Sequence, residues 1–342
     1  MTIDLLGTEL PVIQAPMAGV QGSALAIAVS AAGGLGSLPA AMLSLDALAA
    51  ELTAIRAATD RPYNVNFFCH TPPVRDSGRE EAWRAALLPY YREYGIAADQ
   101  ILDAPARRPF DLAVADVVAP FRPPVVSFHF GLPSPELVDI VKGWGSVVLS
   151  SATTVDEAVW LEQHGADGVI AQGVEAGGHR GMFLGDDLAT QLPTADLVQR
   201  IVASVQVPVI AAGGIADRTD VVQALALGAT AVQVGTAYLL CPEATTSAVH
   251  RAALMSATAS DTELTTLFTG RPARSIVNRL MRELGPLHPT PAFPLAGGAL
   301  APLRAAAERQ GSSDFSPLWC GGTPPARQVD AATLTRLLSG AG

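Results

Sequence analysis

Short apolar runs alternate with longer stretches of helical periodicity from residue 11 to about residue 240. The runs Pro11–Ala15, Leu35–Ser37, Tyr63–Phe67, Val125–Phe128, Ser146–Ser150, Gly168–Ala171, Val207–Ala211 and Ala231–Val234 read as buried strands. Between them, Ser23 to Ala32 and Ser44 to Ala58 carry apolar residues at helical spacing. Start and stop signals agree with this. Ser134-Pro135 puts a cap before a first-turn proline, Thr154 to Glu157 has capping-box spacing, and Arg218 to Leu227 ends at Gly228. Eight strand–helix units predict an α/β fold, a (β/α)8 TIM barrel with its site at the C-terminal strand ends.

Polar or very small residues follow nearly every predicted strand, as in Asn66-Phe67-Phe68, His129-Phe130-Gly131 and Ser150-Ser151. Glycines gather after the last three strands, where such barrels commonly hold phosphate, whereas a doubly wound sheet concentrates them after one early strand. Two stretches break the alternation. Residues 71–122 hold two helical patterns, Glu80 to Tyr94 and Phe110 to Ala119. Beyond Pro242 the pattern predicts a helix from Glu243 to Thr258, then Thr/Arg-rich and proline-rich parts. We therefore expect a barrel over 1–240, a smaller, mostly helical cap over 241–311, and a segment 312–342 returning to the barrel, with a closing helix in the stretch from Ala326.

The 342 residues are 49% apolar, which excludes disorder, yet no uncharged apolar run approaches the roughly 18–20 residues a membrane span needs. No basic n-region precedes an apolar segment at the N-terminus, so the expectation is a cytoplasmic protein. A net charge of −10 argues against nucleic acid as partner. Lys142 is the sole lysine and reads as a solvated helix end, which disfavours Schiff-base chemistry. Cys69, Cys241 and Cys320 are scattered, and no HxxxH or HExxH pattern exists, so no metal site is expected.

Gln172 to Gly181 is the most informative stretch: four glycines in ten positions, with His179 among them. Such a main chain can approach a flat or phosphorylated ligand closely, and imidazole suits proton transfer near neutral pH. Glu175, four residues before His179, either orients it or is a surface charge. The turns Gly213-Gly214 and Gly235-Thr236 supply backbone N–H groups for an anion, and Thr236 adds a hydroxyl. Asn64 and Asn66 share one strand face; Asn64 reads as a structural amide and Asn66 as the ligand contact. His70 and His129 stand at strand ends and His164 at a helix C-terminus; His250 falls in a helix and His288 in the proline-rich part.

These motifs together resemble the nitronate monooxygenases, formerly 2-nitropropane dioxygenases, of the bacterial class I type. The resemblance rests on Gln14 to Gly19 with Ala32 to Gly36, Asn64 to His70, Val126 to Gly131, the Gln172–Gly181 loop, Ala212 to Ile215, Gln233 to Thr236 and Gly270 to Arg274. The glycine–histidine loop alone is also similar to that of flavin-dependent enoyl-ACP reductases. The resemblance implies FMN, held by Asn66, Gln172, Gly173, Gly177, Gly178, Gly214 and the turn Gln233-Val234-Gly235-Thr236. Its phosphate would lie on Gly213-Gly214 and Gly235-Thr236 and its ring near Ala15-Pro16-Met17, with His179 as the catalytic residue. His129, Phe293 and Trp319 are the implied substrate contacts. The implied reaction is oxidation of an alkyl nitronate, such as propionate 3-nitronate, by O2 to a carbonyl compound and nitrite without NAD(P)H. A homodimer stays open.

The C-terminal part departs from the family pattern. Phe293 stands where a tyrosine is usual, and Cys320-Gly321-Gly322 replaces Ala-Gly-Gln after Leu318-Trp319. Two other readings stand beside the first: a flavin-dependent enoyl-thioester reductase or other NAD(P)H oxidoreductase on the same barrel, and, supported by the altered segment alone, a barrel that binds a phosphorylated ligand or flavin without catalysis.

Overall fold

A computed structural model describes residues 3–101, 107–324 and 327–341. All eight expected barrel strands are present: β1 (Val12–Gln14), β2 (Gly36–Pro39), β3 (Tyr63–Phe68), β4 (Val125–His129), β5 (Val147–Ala152), β6 (Gly168–Gln172), β8 (Val209–Ala212) and β9 (Ala231–Val234). A ninth, two-residue strand, β7 (Gly178–His179), lies inside the histidine loop. The eight pair in parallel in the order β1-β9-β8-β6-β5-β4-β3-β2. Backbone bonds from Gln14 and Leu35, both 2.9 Å, join β1 to the residue before β2 and close the cylinder.

Period-two alternation divides each strand between two apolar layers. Ile13, Leu35, Val125, Leu149, Ile170 and Ile210 fill the interior, with Leu6 packed among them. Val12, Val169, Val209 and Val232 point outward against Leu197, Ile201 and Val221 of the surrounding helices. Helix Arg218–Ala226 ends as expected, with Gly228 at φ +98°. Ser134 caps its helix by position, with Pro135 in the first turn, but without a side-chain hydrogen bond. The Thr154 box is only half formed. Its hydroxyl accepts from Glu157 N–H, but the Glu157 carboxylate turns to Thr153 N–H at 2.7 Å and Phe183 N–H at 2.7 Å. The reciprocal box is instead at Asp217 and Asp220.

The stretch after Pro242 holds helices Ala248–Leu254, Arg279–Leu284 and Ala296–Arg309, and also a hairpin that periodicity did not reveal. Its strands β10 (Thr262–Thr265) and β11 (Ala273–Ile276) are antiparallel, and β11 continues the sheet onto β7. The expected helix Glu243–Thr258 is thus shorter than its apolar pattern. Helix Ser77–Glu93, from the long insertion after β3, packs against this same region. Trp83 Nε1 donates to Ala296 O at 3.1 Å and Tyr91 to Ala299 O at 2.8 Å, around a core of Leu87, Phe268, Leu300 and Phe315. Helix Ala331–Ser339 lies against helices Ser23–Ala31 and Arg218–Ala226, burying Leu334 and Leu338; Ala326 lies outside the described residues. No helix among the described residues is long and apolar enough to cross a membrane.

Candidate active site

The loop after β6 has few side chains of its own, so its shape comes from neighbours. β7 zips onto β11, with Gly178 opposite Arg274 and His179 opposite Ala273. The fully buried Arg180 guanidinium donates to Gln172 O at 2.6 Å, Gly173 O at 2.7 Å and Gln191 Oε1 at 2.9 Å. Gln172 spans the loop mouth: Nε2 donates to His179 O at 3.0 Å and Oε1 accepts from Gly181 N–H at 2.8 Å. Glu175 neither orients His179 nor floats in solvent. Its carboxylate accepts from Thr194 N–H at 2.9 Å and Thr194 Oγ1 at 2.7 Å, capping helix Thr194–Val202.

His179 stands among rings, with Phe293 at 5.3 Å and Trp319 at 5.5 Å between centroids. Burial holds its pKa well below 6.5, and the positive charges of Arg107 and Arg271 add to the shift, so the ring is neutral. Its Nε2 lies 2.9 Å from Thr269 Oγ1, and that hydroxyl donates to Arg271 O at 3.4 Å. Where that hydrogen is on Arg271 O, Nε2 carries the imidazole proton and Nδ1 is the basic nitrogen; turned to Nε2, the same hydroxyl gives the opposite tautomer. The His129 tautomer is fixed by its partners. Its Nε2–H donates to His179 O at 3.2 Å, its Nδ1 accepts from Ser151 Oγ at 3.0 Å, and burial lowers its pKa to about 3.

These residues line a cavity of about 1340 Å³, including its open mouth, at the C-terminal end of the barrel. Gly213 at φ +114° and Gly214 at φ +71° turn their backbone there in a way L-residues rarely can. Thr236 Oγ1 accepts from Gly321 N–H at 2.9 Å and so still has a hydrogen to donate. Gln233, on the wall, has a buried Oε1 with no partner among the described residues. Asn66 donates to Ser127 O at 3.2 Å and Ser127 Oγ at 3.0 Å, while Asn64 joins Ser37 and Ser127 inside the barrel as a structural amide. Ala15, Pro16 and Met17 border the cavity on a loop steadied by Gln21, whose Oε1 accepts from Met17 N–H at 3.2 Å.

Most residues expected at the site thus converge: Ala15 to Met17, Asn66, Gln172, Gly177, Gly178, Gly213, Gly214, Gln233, Gly235 and Thr236 line the cavity with His129, His179 and Trp319. Gly173, Val234 and Phe293 stand off its wall. Gly173 is small because helix Thr194–Val202 abuts it; a Cβ there would meet Thr194 Oγ1 at 2.0 Å. Val234 faces the outer core, 1% exposed. Phe293 packs with Phe68 and Phe130 behind His179. Arg107, Ser151, His250 and Gly321 also line the cavity, and Thr269 holds the imidazole from behind. Only the family motif Gly270–Arg274 pointed near Thr269, and nothing local marked Arg107. His70 is buried outside the lining, edge-on to Phe293 at 4.9 Å. His164 stacks on Trp160 at a helix end, and Lys142 pairs with Asp167 at 2.8 Å.

Fold and site together define a (β/α)8-barrel enzyme whose cavity is roofed by a histidine loop. A family model described as nitronate monooxygenase matches residues 1–334, and the chain belongs to that family. It is 41% identical to a nitronate monooxygenase of Pseudomonas aeruginosa, over 98% of this chain and 96% of the relative. A solved nitroalkane oxidase from Streptomyces ansochromogenes superposes with a TM-score of 0.91 at 38% identity, covering 99% of this chain and 96% of that one. FabK from Thermotoga maritima gives a TM-score of 0.71 at 26% identity, covering 98% and 94%.

Proposed function

We propose that this chain binds FMN and oxidises alkyl nitronates with O2 to a carbonyl compound and nitrite, without NAD(P)H. What carries the reading is a neutral His179, held through Nε2 by Thr269, at a cavity whose wall includes two glycine turns. The Pseudomonas aeruginosa relative is described as a nitronate monooxygenase and the Streptomyces ansochromogenes one as a nitroalkane oxidase. Three free cysteines suit a reducing cytoplasm.

The residues fit FMN. Gly213-Gly214 and Gly235-Thr236 would take the phosphate, the unpartnered Gln233 Oε1 and the amides of Asn66 and Gln172 would face the ring system, and Ala15 to Met17 would flank it. Bound FMN would supply the electron transfer that lets O2 oxidise the substrate. His179 takes the proton from the carbon bearing the nitro group, or holds a nitronate oxygen once that proton is gone. The surrounding Phe68, Phe130, Phe293 and Trp319 rings exclude water from the reacting carbon.

The purified protein should be yellow and should consume O2 and release nitrite with preformed nitronates. His179→Asn should keep flavin but lose turnover, and lose more with neutral nitroalkanes than with nitronates. Rapid anaerobic bleaching of the flavin by NADH, with no nitronate turnover, would replace this reading with a reductase.

A further inference from the structure

The peptide carbonyl of His179 is held by two side chains from the barrel strands. Gln172 Nε2, at the end of β6, donates to it at 3.0 Å, and His129 Nε2, at the end of β4, donates at 3.2 Å. The imidazole of the same residue is held by Thr269 Oγ1 at 2.9 Å. β7 is only two residues long, and β11 is the strand that pairs with it. Toward the barrel, its last carbonyl relies on side chains.

The partners of His129 leave it one arrangement. Nε2 faces a carbonyl, which can only accept, so Nε2 carries the hydrogen. Burial keeps the ring neutral, so Nδ1 is a bare acceptor and the Ser151 hydroxyl donates to it at 3.0 Å. Phe130 at 4.5 Å and Phe68 at 5.8 Å flank the ring. Gly181 keeps the space clear: a Cβ there would meet His129 Cε1 at 3.0 Å and Ser151 Cβ at 3.1 Å. The chain Ser151–His129–His179 thus runs from β5 through β4 to the histidine loop. With both nitrogens engaged by protein, His129 has no N–H left for a nitronate oxygen, although it lines the cavity.

We propose that His129 is a positioning residue and not a substrate contact: kept in one tautomer by Ser151, it fixes the backbone of His179 and so sets where that imidazole meets the substrate. The inference rests on the reading of His179 as the residue that acts on the nitronate.

A substrate contact and a positioning residue move different kinetic constants. On the flavin-loaded enzyme with ethyl nitronate, His129→Leu should lower kcat about 10²-fold, the cost of about 1 Å of misplacement, with KM changed less than about threefold. His129→Gln, whose amide can both donate to His179 O and accept from Ser151, should recover most of that loss. Ser151→Ala should lower kcat about tenfold, the scale of one hydrogen bond to a buried partner. The double variant should be no slower than His129→Leu, because the serine acts through the histidine. A KM rise as large as the kcat loss, an unchanged kcat, a glutamine no better than leucine, or multiplied losses in the double variant would overturn the proposal.

Amide hydrogen exchange over residues 177–181 reads the clamp without turnover. Protection there should fall in Ser151→Ala and further in His129→Leu, while β1 and β9 keep wild-type protection. Ser151→Ala removes a single hydroxyl and carries this measurement alone if His129→Leu does not fold. Unchanged loop protection sinks the clamp even where nitronates react. A loop loosened as expected, in an enzyme whose wild type turns over no nitronate, would sink the nitronate reading alone.

Discussion

His179 Nε2 and Thr269 Oγ1 are 2.9 Å apart, and the threonine hydroxyl is itself turned toward Arg271 O at 3.4 Å. With its hydrogen on that carbonyl the hydroxyl accepts from Nε2–H and leaves Nδ1 as the base, so the pair couples the threonine rotor to the imidazole tautomer. Thr269→Val keeps the shape and removes the acceptor. The expected result is a kcat loss of about tenfold on neutral nitroalkanes, less than the roughly 10²–10⁴ that general-base catalysis is worth, because the productive Nε2–H tautomer still forms part of the time. Thr269→Ser should recover most of it. A Thr269→Val enzyme with unchanged rate and pH profile would show that the tautomer is set elsewhere.

The barrel was legible because its signal is periodic: buried parallel strands read as apolar runs, and each ends in small or polar residues that recur around the mouth. The glycine turns and His179 were legible for the same reason, as unusual residues at strand ends. What escaped was non-local. β7 has two residues and no period, and exists only because β11, almost a hundred residues later, pairs with it. Thr269 is one threonine in a Thr-rich stretch, and Arg107 lies far from any glycine motif. Glu175 was misleading because i,i+4 spacing suggests a helical neighbour, whereas its chain is a turn that aims the carboxylate at Thr194.

Gly36 opens β2 where helix Ser23–Ala31 crosses the sheet, and a Cβ there would lie 1.9 Å from Ala26 O. The obstacle is backbone on both sides, so a rotamer change cannot relieve it. Gly36→Ala should destabilise the fold by about 3 kcal/mol, the upper part of the usual overpacking range. The denaturant midpoint reports it. A loss under about 0.5 kcal/mol, the scale of a neutral surface change, would mean the helix is free to slide.

Two adjacent glycines of the histidine loop should respond differently to alanine. At Gly177 a Cβ would press on Gly321 N at 2.6 Å, whereas at Gly178 it meets open space but the residue sits at φ +72°. Gly177→Ala should push Trp319 to Gly321 off the cavity wall and weaken flavin retention, read as flavin lost on dialysis. Gly178→Ala should cost about 1–2 kcal/mol of backbone strain, read as a lower melting point with flavin kept. Equal flavin loss in both variants would show that loop strain, and not the Gly321 contact, governs the cavity.

The buried histidines make stability fall with acid. His250 is held to about 4 by burial, offset in part by a hydrogen bond to the Trp319 backbone, and its Nε2 has no partner among the described residues. His70 is lowered to about 4 and His129 to about 3, again chiefly by burial. In the unfolded chain each titrates near 6.5. Between those values the unfolded state binds more protons than the folded one, so stability rises with pH: it is fully present above about 6.5 and drains away as pH falls toward about 4. For His250 alone the loss between pH 7.5 and 5.0 is about 2 kcal/mol. Urea midpoints at the two pH values should therefore move together in His250→Gln relative to wild type. If the variant keeps the full wild-type slope over this interval, the acid sensitivity comes from other groups and the His250 site is wetter than its packing indicates.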